Sequence, residues 1–276
     1  MRLLRPRNLL LFPVVAFALF YAAVAVYVVV SDEEIPVLAA DPAPYQTVAI
    51  FGASGTAGDG ILKAALADPG IERIHVITRR ATPRIEEGVE SGKVEMTIHM
   101  DYLDYAAVHE QIAEADAIYW AIGTSTFNVD DETYGIIHVD FPVQFVREWT
   151  SVSDKDDISF HYISSSDISE DAGAHWAREK WRAEQELFRF AEGTALRVIA
   201  YRPDYIGPTE EEAHLGQDLV FWFFRPVGAS VRALEIGHTM LEVTARGGEF
   251  ENGDRVGTFR IQRMSDAYVR RQQSAQ

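Results

Sequence analysis

Three glycines near the start of the globular part have the spacing of a phosphate-binding turn. Gly52, Gly55 and Gly58 form G-x-x-G-x-x-G between the β-branched and aromatic run TVAIF and the helical run DGILKAALA. Glycine permits a tight strand-to-helix turn and lets backbone N–H groups approach a pyrophosphate at the helix N-terminus. Ser54 and Thr56 can add hydroxyl donors. The pattern predicts a dinucleotide site, with a purely structural glycine turn as the alternative.

The end of the next buried run predicts which dinucleotide binds. RIHVITRR ends in Thr78, Arg79 and Arg80, where an NAD-binding turn would have an acid for the ribose 2′-OH. A carboxylate would repel a 2′-phosphate, whereas a guanidinium pairs with it through two hydrogen bonds. We therefore expect a preference for NADP(H) over NAD(H). The alternative is a pair of solvated arginines at a strand end.

Alternating strand-like and helix-like runs predict an α/β fold, a Rossmann-type doubly wound parallel sheet with helices on both faces. The predicted strands are Thr47–Phe51, Arg73–Arg80, 93–100, Asp116–Thr126, Asp157–Ser166 and Ala195–Pro203, and the longest predicted helix is 175–193. From about Asp204 the pattern loosens. This end is expected to form a small C-terminal cap at the sheet's carboxyl edge, where a substrate would bind. Its aromatic run LVFWFFRPVG is interpreted as core rather than as a lipid site.

Composition excludes several classes of function. The net charge of -17 argues against a nucleic-acid partner, because phosphate binding needs a clustered basic surface. The chain has no cysteine, so it has no disulfide, thiolate metal site or cysteine nucleophile. His99, His109 and His138 are scattered without metal-ligand spacing, and no metal is expected. No G-x-S-x-G elbow in a strand–turn–helix setting supports a serine hydrolase.

The first thirty residues predict a membrane anchor. The uncharged run from Asn8 to Val30 spans about 34 Å as a helix, enough to cross a hydrocarbon core of about 30 Å. The alternatives are a cleaved signal, which usually has a shorter apolar run, and a buried helix. The predicted organisation is an anchor over 1–30, a proline-rich acidic linker over 31–45, and one domain over 46–276 with its cap from about 204.

The charges that flank this run and the expected cofactor predict opposite sides of the membrane for the domain. Basic residues precede the run and acidic residues follow it, at Arg2, Arg5, Arg7, Asp32, Glu33 and Glu34. The positive-inside rule would put the domain outside the cytoplasm. NADP(H), in contrast, is chiefly an intracellular cofactor. We give the cofactor slightly more weight and expect a single-pass membrane protein whose domain lies on the cytoplasmic side.

Over roughly Thr47 to Gly248 the chain resembles the atypical short-chain dehydrogenase/reductases, closest to the NmrA-like and Tat-interacting-protein-like branch. The shared motifs, in order, are the glycine turn, the strand-end arginines, MDYLD, AIGTS, ISSSD, KWRAEQEL and YRPDYIG. The resemblance implies that Asp101 lies by the adenine and that Gly123 and Thr124 lie beside the nicotinamide ribose. It also implies that Ser165 steadies the substrate oxygen. Lys180 would hold the ribose and lower the pKa of a catalytic tyrosine.

The departure from this family lies at the proton donor. Trp176 stands four residues before Lys180, where the family's reductases have tyrosine. The spacing puts both side chains on one helix face, but an indole N–H does not release a proton at useful pH. General acid catalysis needs an ionisable O–H within hydrogen-bond reach. Tyr162 and Tyr205 are possible substitutes, although core packing is the simpler interpretation of both.

Three functions remain open from the sequence. The first is a membrane-anchored NADP(H)-binding protein that acts as a nucleotide sensor or scaffold, with impaired carbonyl-reductase chemistry. The second is an active NADPH-dependent oxidoreductase with a non-standard proton donor or a substrate that needs none. The third is a structural role without nucleotide. The sequence identifies neither a substrate nor a protein partner.

Overall fold

The computed structural model describes residues 6–31, 34–38 and 45–274, with side chains from residue 12 onward. Arg2, Arg5, Asp32 and Glu33, four of the charges used above for sidedness, lie outside the described residues.

Seven parallel strands form the main sheet, in the order β3-β2-β1-β4-β5-β6-β9. These seven strands are β1 (Thr47–Phe51), β2 (Arg73–Thr78), β3 (Val94–Ile98), β4 (Ala117–Trp120), β5 (Ile158–Ile163), β6 (Leu196–Arg202) and β9 (Arg255–Gly257). Two further strands, β7 (Tyr205–Gly207) and β8 (Ser230–Arg232), pair with each other in a separate small sheet. The switch in strand order between β1 and β4 creates a crevice at the carboxyl edge. The predicted doubly wound parallel fold is confirmed.

The described residues form the helices α1 (Pro6–Val30), α2 (Thr56–Ala67), α3 (Pro83–Glu90), α4 (His109–Glu114), α5 (Asp131–Gly135), α6 (Phe141–Val152), α7 (His175–Ala191), α8 (Leu215–Phe224), α9 (Ala233–Arg246) and α10 (Thr258–Ser274). Helices cover both faces of the sheet, whereas no described residue of α1 or α8 belongs to its buried core. A π-helical turn, Ile136–Asp140, joins α5 to α6. Buried residues of α2, α9 and α10 form the core on one face, and those of α4, α6 and α7 form it on the other.

Small residues allow α2 and α9 to pack closely. A Cβ on Gly60 would lie 2.2 Å from the carbonyl carbon of Ala233, and one on Gly237 would lie 2.7 Å from the Cβ of Ala64. Any larger side chain at either glycine would push the two helices apart. This contact fixes α2, whose N-terminus follows the glycine turn, on the sheet.

The C-terminal region forms part of the main sheet and its core in addition to the predicted cap. After β6, the pair β7–β8 and helix α8 form a small lobe, but α9 and α10 cover the main sheet and β9 adds its seventh strand. The strand predicted over Asp116–Thr126 is also shorter, because β4 ends at Trp120.

The interpretation of the aromatic run as core was wrong. In α8 only Phe221 is buried, at 4% exposure, while Trp222 is 64% exposed and Phe223 is 48% exposed. The lobe is too small to cover more than one face of this helix, so the other aromatic side chains lie at the surface.

Part of the predicted linker packs on the domain. Arg270 donates to the carbonyl oxygen of Ile35 at 2.9 Å, and Arg246 donates to that of Pro36 at 2.5 Å. Ile35 also packs against the core cluster beneath α9 and α10. The described stretch 34–38 is therefore held along the domain surface.

Candidate functional site

The glycine turn joins β1 to α2 in a geometry that only glycine fits. Gly52 has φ +81°, and a Cβ there would lie 2.7 Å from the carbonyl carbon of Ala121. A Cβ on Gly58 would lie 2.0 Å from the carbonyl oxygen of Gly52. Gly52 is thereby packed between the first turn of α2 and the loop after β4. Gly55, at the N-cap of α2, provides no side-chain cap, so backbone N–H groups of the first turn are left for an anion.

A cleft of about 350 Å³ opens at this turn and brings together eight of the predicted cofactor residues. They are Gly52, Ser54, Gly55, Thr78, Arg79, Arg80, Gly123 and Thr124. Tyr102, Ile122 and Phe141 add apolar surface. No acidic residue is among the described residues that line it. A flat aromatic ring and a phosphate fit this combination of apolar walls, glycine backbone and guanidinium groups.

The other predicted cofactor residues do not line the cleft. Gly58 is buried in the turn, and Thr56 is exposed at the start of α2. Asp101 is exposed, and its Oδ1 accepts a hydrogen bond from the Leu103 N–H at 3.0 Å. Its neighbour Tyr102 occupies the cleft wall instead. Asp101 is thus adjacent to a residue of the cleft wall but is not among the described residues that line the cleft, and its role beside the adenine stays a prediction.

The two strand-end arginines differ in how they are held. Both are exposed, and Arg80 donates to the backbone oxygen of Ser54 at 3.3 Å. Arg79 makes no hydrogen bond or ion pair with the residues that the structure describes. Burial raises the pKa of the Tyr102 phenol to about 12, and the charge of Arg79 opposes this rise. Arg79 therefore lies near Tyr102 with a guanidinium available to a ligand.

Lys180 is buried beside the end of β5. Its Nζ donates to the carbonyl oxygen of Ile163 at 2.8 Å and lies 5.1 Å from the ring centre of Tyr162. Burial lowers the pKa of this lysine to about 8, and the nearby Glu184 carboxylate opposes the fall. The ammonium is therefore mostly charged at pH 7 and able to hold a ligand hydroxyl or to stabilise a phenolate. Lys180 does not itself line the cleft.

Three hydroxyls follow β5, and each has a different environment. Ser164 is buried with no partner for its Oγ among the described residues. Ser166 donates to Asp204 Oδ1 at 2.5 Å. Ser165 is half-buried, and its hydroxyl makes no hydrogen bond with the described residues. Of the three, Ser165 is thus the hydroxyl that is both accessible and unengaged.

Trp176 lies in the first turn of α7, one turn before Lys180, and is half-buried. The adjacent His175 points elsewhere, with its ring nitrogens 3.5 Å from Asp131 and 3.7 Å from Glu179. Helix α7 therefore directs the indole, and not the histidine, along the same side as Lys180. Nothing in this arrangement gives position 176 an ionisable proton.

Of the two substitute tyrosines, Tyr162 is a core residue. It is fully buried, and its phenol donates to the backbone oxygen of His138 at 3.1 Å. Burial holds the pKa of this phenol well above its usual range. Tyr205 is half-buried on β7, in the C-terminal lobe.

Tyr134 and His138 lie in no recognised sequence motif, yet the structure brings both to this region. His138 Nε2 lies 3.1 Å from both the N and the O of Thr124, at the end of the cleft. Burial, together with the charge of Lys180, lowers the pKa of His138 to about 3. The Tyr134 ring is 4.1 Å from the His138 ring. The π-helical turn creates this cluster; such turns are frequent at functional sites but have no clear sequence signal.

The burial of Lys180 predicts a pH effect on stability. Its pKa is about 8 in the folded protein and has the ordinary lysine value of 10.5 in the unfolded chain. Between these two pH values the unfolded state therefore holds more protons than the folded state. The free energy of unfolding of the wild type should therefore rise with pH relative to Lys180→Met, by about 3 kcal/mol across this window. Urea unfolding of both proteins from pH 7 to 10.5 measures the difference. A constant difference would mean that the lysine is not desolvated.

A scan against protein-family models finds no match. Among curated proteins, the chain is 27% identical over 152 residues to leucinostatins biosynthesis cluster protein T of Purpureocillium lilacinum, covering 54% of each chain. It is also 25% identical over 203 residues to a polyketide synthase-nonribosomal peptide synthetase of Aspergillus flavipes, covering 62% of this chain and 5% of that protein. The chain thus spans about half of the first relative and a small part of the second.

Solved structures of similar fold match a larger share of this chain than the curated proteins do. A short-chain dehydrogenase/reductase from Serratia marcescens matches with a TM-score of 0.61 at 15% identity, covering 80% of this chain and 100% of that one. The KRED1-Pglu enzyme matches with a TM-score of 0.59 at 16% identity, over 76% and 100% of the two chains. UDP-glucuronic acid 4-epimerase from Bacillus cereus, in complex with NAD, gives 0.59 at 12% identity, over 77% and 76%. The predicted resemblance to short-chain dehydrogenase/reductases is confirmed for the fold.

Proposed function

We propose that this protein is a membrane-anchored NADP(H)-binding member of the atypical, NmrA-like short-chain dehydrogenase group. It acts as a nucleotide sensor or scaffold and has impaired carbonyl-reductase chemistry. One observation carries the proposal: a cleft with the features of a dinucleotide site lies near a buried Lys180 whose helical neighbour is Trp176. The nicotinamide would supply hydride chemistry when bound. The chain offers Lys180 and Ser165 to hold polar oxygens but no proton donor at position 176.

The preference for NADP(H) rests on charge at the cleft. Arg79 and Arg80 line it, and no carboxylate of the described residues does. A free Arg79 guanidinium can accept a 2′-phosphate, while Arg80 and Ser54 hold the neighbouring loop. The curated fungal relatives and the NAD-bound epimerase leave the choice between NAD and NADP to these side chains.

The membrane part of the proposal rests on α1. The stretch Phe12–Val30 is long and apolar enough to span a membrane, and it has no fully buried residue. The proposed anchor is uncleaved and spans the membrane once, and the domain is placed on the cytoplasmic side because NADP(H) is chiefly an intracellular cofactor. Carbonate extraction tests the anchor, and protease protection in intact cells tests the side.

Nucleotide titration tests the cofactor. We expect the detergent-solubilised full chain to bind NADPH more tightly than NADH. Arg79→Ala should weaken NADPH binding about tenfold or more, because a charge-assisted hydrogen bond contributes about 1.5–3 kcal/mol, and should leave NADH nearly unchanged. Arg147→Ala, which removes an exposed arginine from α6, is the matched control. Equal weakening of both nucleotides would contradict the 2′-phosphate assignment.

A second candidate function is an active NADPH-dependent oxidoreductase with a non-standard proton donor. Tyr134 favours it, because its ring packs 4.1 Å from that of His138, which contacts Thr124 at the end of the cleft and is close enough to Lys180 to feel its charge. Burial raises the pKa of Tyr134 to about 12, with the Glu179 carboxylate adding to the rise. A phenol of this kind stays protonated and can donate. Wild-type oxidation of NADPH with a panel of aldehydes and quinones separates the two functions.

A further inference from the structure

Helix α8 has its polar and apolar faces reversed relative to an ordinary surface helix. Asp218 points into the lobe, where it pairs with Arg232 at 2.7 Å, and Phe221 is the buried aromatic. The outer face is apolar, with the exposed side chains Leu215 (85%), Leu219 (72%), Val220 (39%), Trp222 (64%), Phe223 (48%) and Phe224 (38%). A surface helix in water normally presents charged and polar residues on this side. Such a contiguous apolar patch marks an interaction surface.

The anchor helix runs directly beside this patch. Tyr21 of α1 donates a hydrogen bond to the backbone oxygen of Phe223 at 2.6 Å, and the two rings lie 5.5 Å apart. The half-buried residues of α1 follow helical i, i+3, i+4, i+7 spacing and form one stripe along that helix: Tyr21, Val24, Ala25 and Val28. The C-terminal half of α1 therefore packs on the C-terminal lobe.

The length of the anchor sets the depth of this contact. A hydrocarbon core of about 30 Å needs about 20 helical residues. A span that begins at Asn8 therefore ends near residue 28, and Tyr21 lies roughly 10 Å inside the boundary. The Phe223 end of α8 must lie close to the same depth. Interfacial helices bury their apolar faces by about 5–10 Å, which matches this placement.

We infer that the outer face of α8 is a second membrane-binding element that lies in the bilayer interface next to the anchor. Its occupant is the lipid itself. The inference rests on the membrane-spanning α1 of the proposed function but is independent of nucleotide binding. Acidic Glu210, Glu211 and Glu212 are separated from the start of α8 by two residues, so hydrophobic burial rather than attraction to anionic lipid drives the contact. The domain is thereby held in one orientation on the membrane instead of swinging on a tether.

The absence of cysteine makes site-specific labelling direct. We choose Leu219→Cys on the outer face of α8, Ser91→Cys at the exposed α3–β3 turn as the matched control, and Val14→Cys in the anchor as the reference for lipid exposure. Each full-length variant carries an environment-sensitive fluorophore and is reconstituted in phosphatidylcholine vesicles. Quenching is measured with aqueous iodide and with a lipid that carries a nitroxide near the top of its acyl chain.

The Leu219 label should be blue-shifted, several-fold less quenched by iodide than the Ser91 label, and quenched by the lipid nitroxide. Adding phosphatidylserine should not strengthen the effect. Iodide quenching equal to that at Ser91 would overturn the inference, as would shielding from iodide without lipid quenching, which indicates a second copy of the chain on α8. If the Val14 label escapes lipid quenching while the Leu219 label does not, the anchor fails and the α8 contact stands. If neither label is quenched by lipid, both fail.

Discussion

Glu184→Ala should lower the free energy of unfolding by about 3–5 kcal/mol, the cost of breaking a buried ion pair. The Glu184 carboxylate is fully buried on α7 and accepts hydrogen bonds from Arg202 at 2.9 and 2.5 Å. Arg255 donates to the same carboxylate at 3.2 Å. These arginines lie on β6 and β9, so removing one side chain leaves guanidinium groups of two strands without their shared partner. It also loosens the attachment of the edge strand β9.

Urea unfolding of the detergent-solubilised full chain measures this loss. Glu186→Ala is the matched control, because it removes a carboxylate from the same helix whose only described ion pair, with Arg182, is 3.8 Å long and partly exposed. Such surface pairs contribute about 0–1 kcal/mol. A loss for Glu184→Ala as small as that of the control would show that the buried cluster is not a stabilising unit.

The same cluster shows what a sequence can and cannot predict. KWRAEQEL and YRPDYIG were recognised as separate motifs. The structure shows that they are in contact, because Glu184 of the first forms an ion pair with Arg202 of the second. Sequence spacing alone does not reveal a contact between residues of different elements. The third partner was missed because β9 is only three residues long and both of its ends are exposed.

The buried strands were predictable because a parallel strand covered on both faces is a continuous run of β-branched and aromatic residues. Their ends were less so. AIGTS has the composition of a strand, but β4 ends at Trp120 and the loop turns toward Gly52 and His138. The aromatic run of α8 was wrongly predicted to be core. A run with so few polar residues does not indicate which face of its helix is solvent-exposed. In the cleft, the glycines and arginines were predictable from turn chemistry, whereas Tyr102 and His138 depend on how the loops fold.

Trp176→Tyr should create carbonyl-reductase activity, because it puts a phenol one helical turn before Lys180. The Lys180 ammonium, mostly protonated at pH 7 with a pKa of about 8, favours the phenolate and so makes the phenol a better acid. Ser165 leaves an unengaged hydroxyl after β5. A general acid typically contributes 10²–10⁴-fold in rate, so we expect NADPH oxidation with aldehydes or quinones to rise by about 10²-fold or more over wild type. Initial rates at pH 7 across a carbonyl panel measure it.

Trp176→Phe separates the hydroxyl from the loss of the indole, since it leaves a similar space without an ionisable group. The smaller ring costs about 1–3 kcal/mol of stability at a half-buried position, on the scale of large-to-small core changes, so melting curves must show that both variants are folded. If Trp176→Tyr is active and Trp176→Phe is not, position 176 is the position at which the wild type lacks a proton donor. Brisk wild-type turnover that is unchanged in Trp176→Tyr and lost in Tyr134→Phe would contradict this. In that case the donor is the Tyr134 phenol packed against His138, and the protein is an active oxidoreductase rather than a sensor.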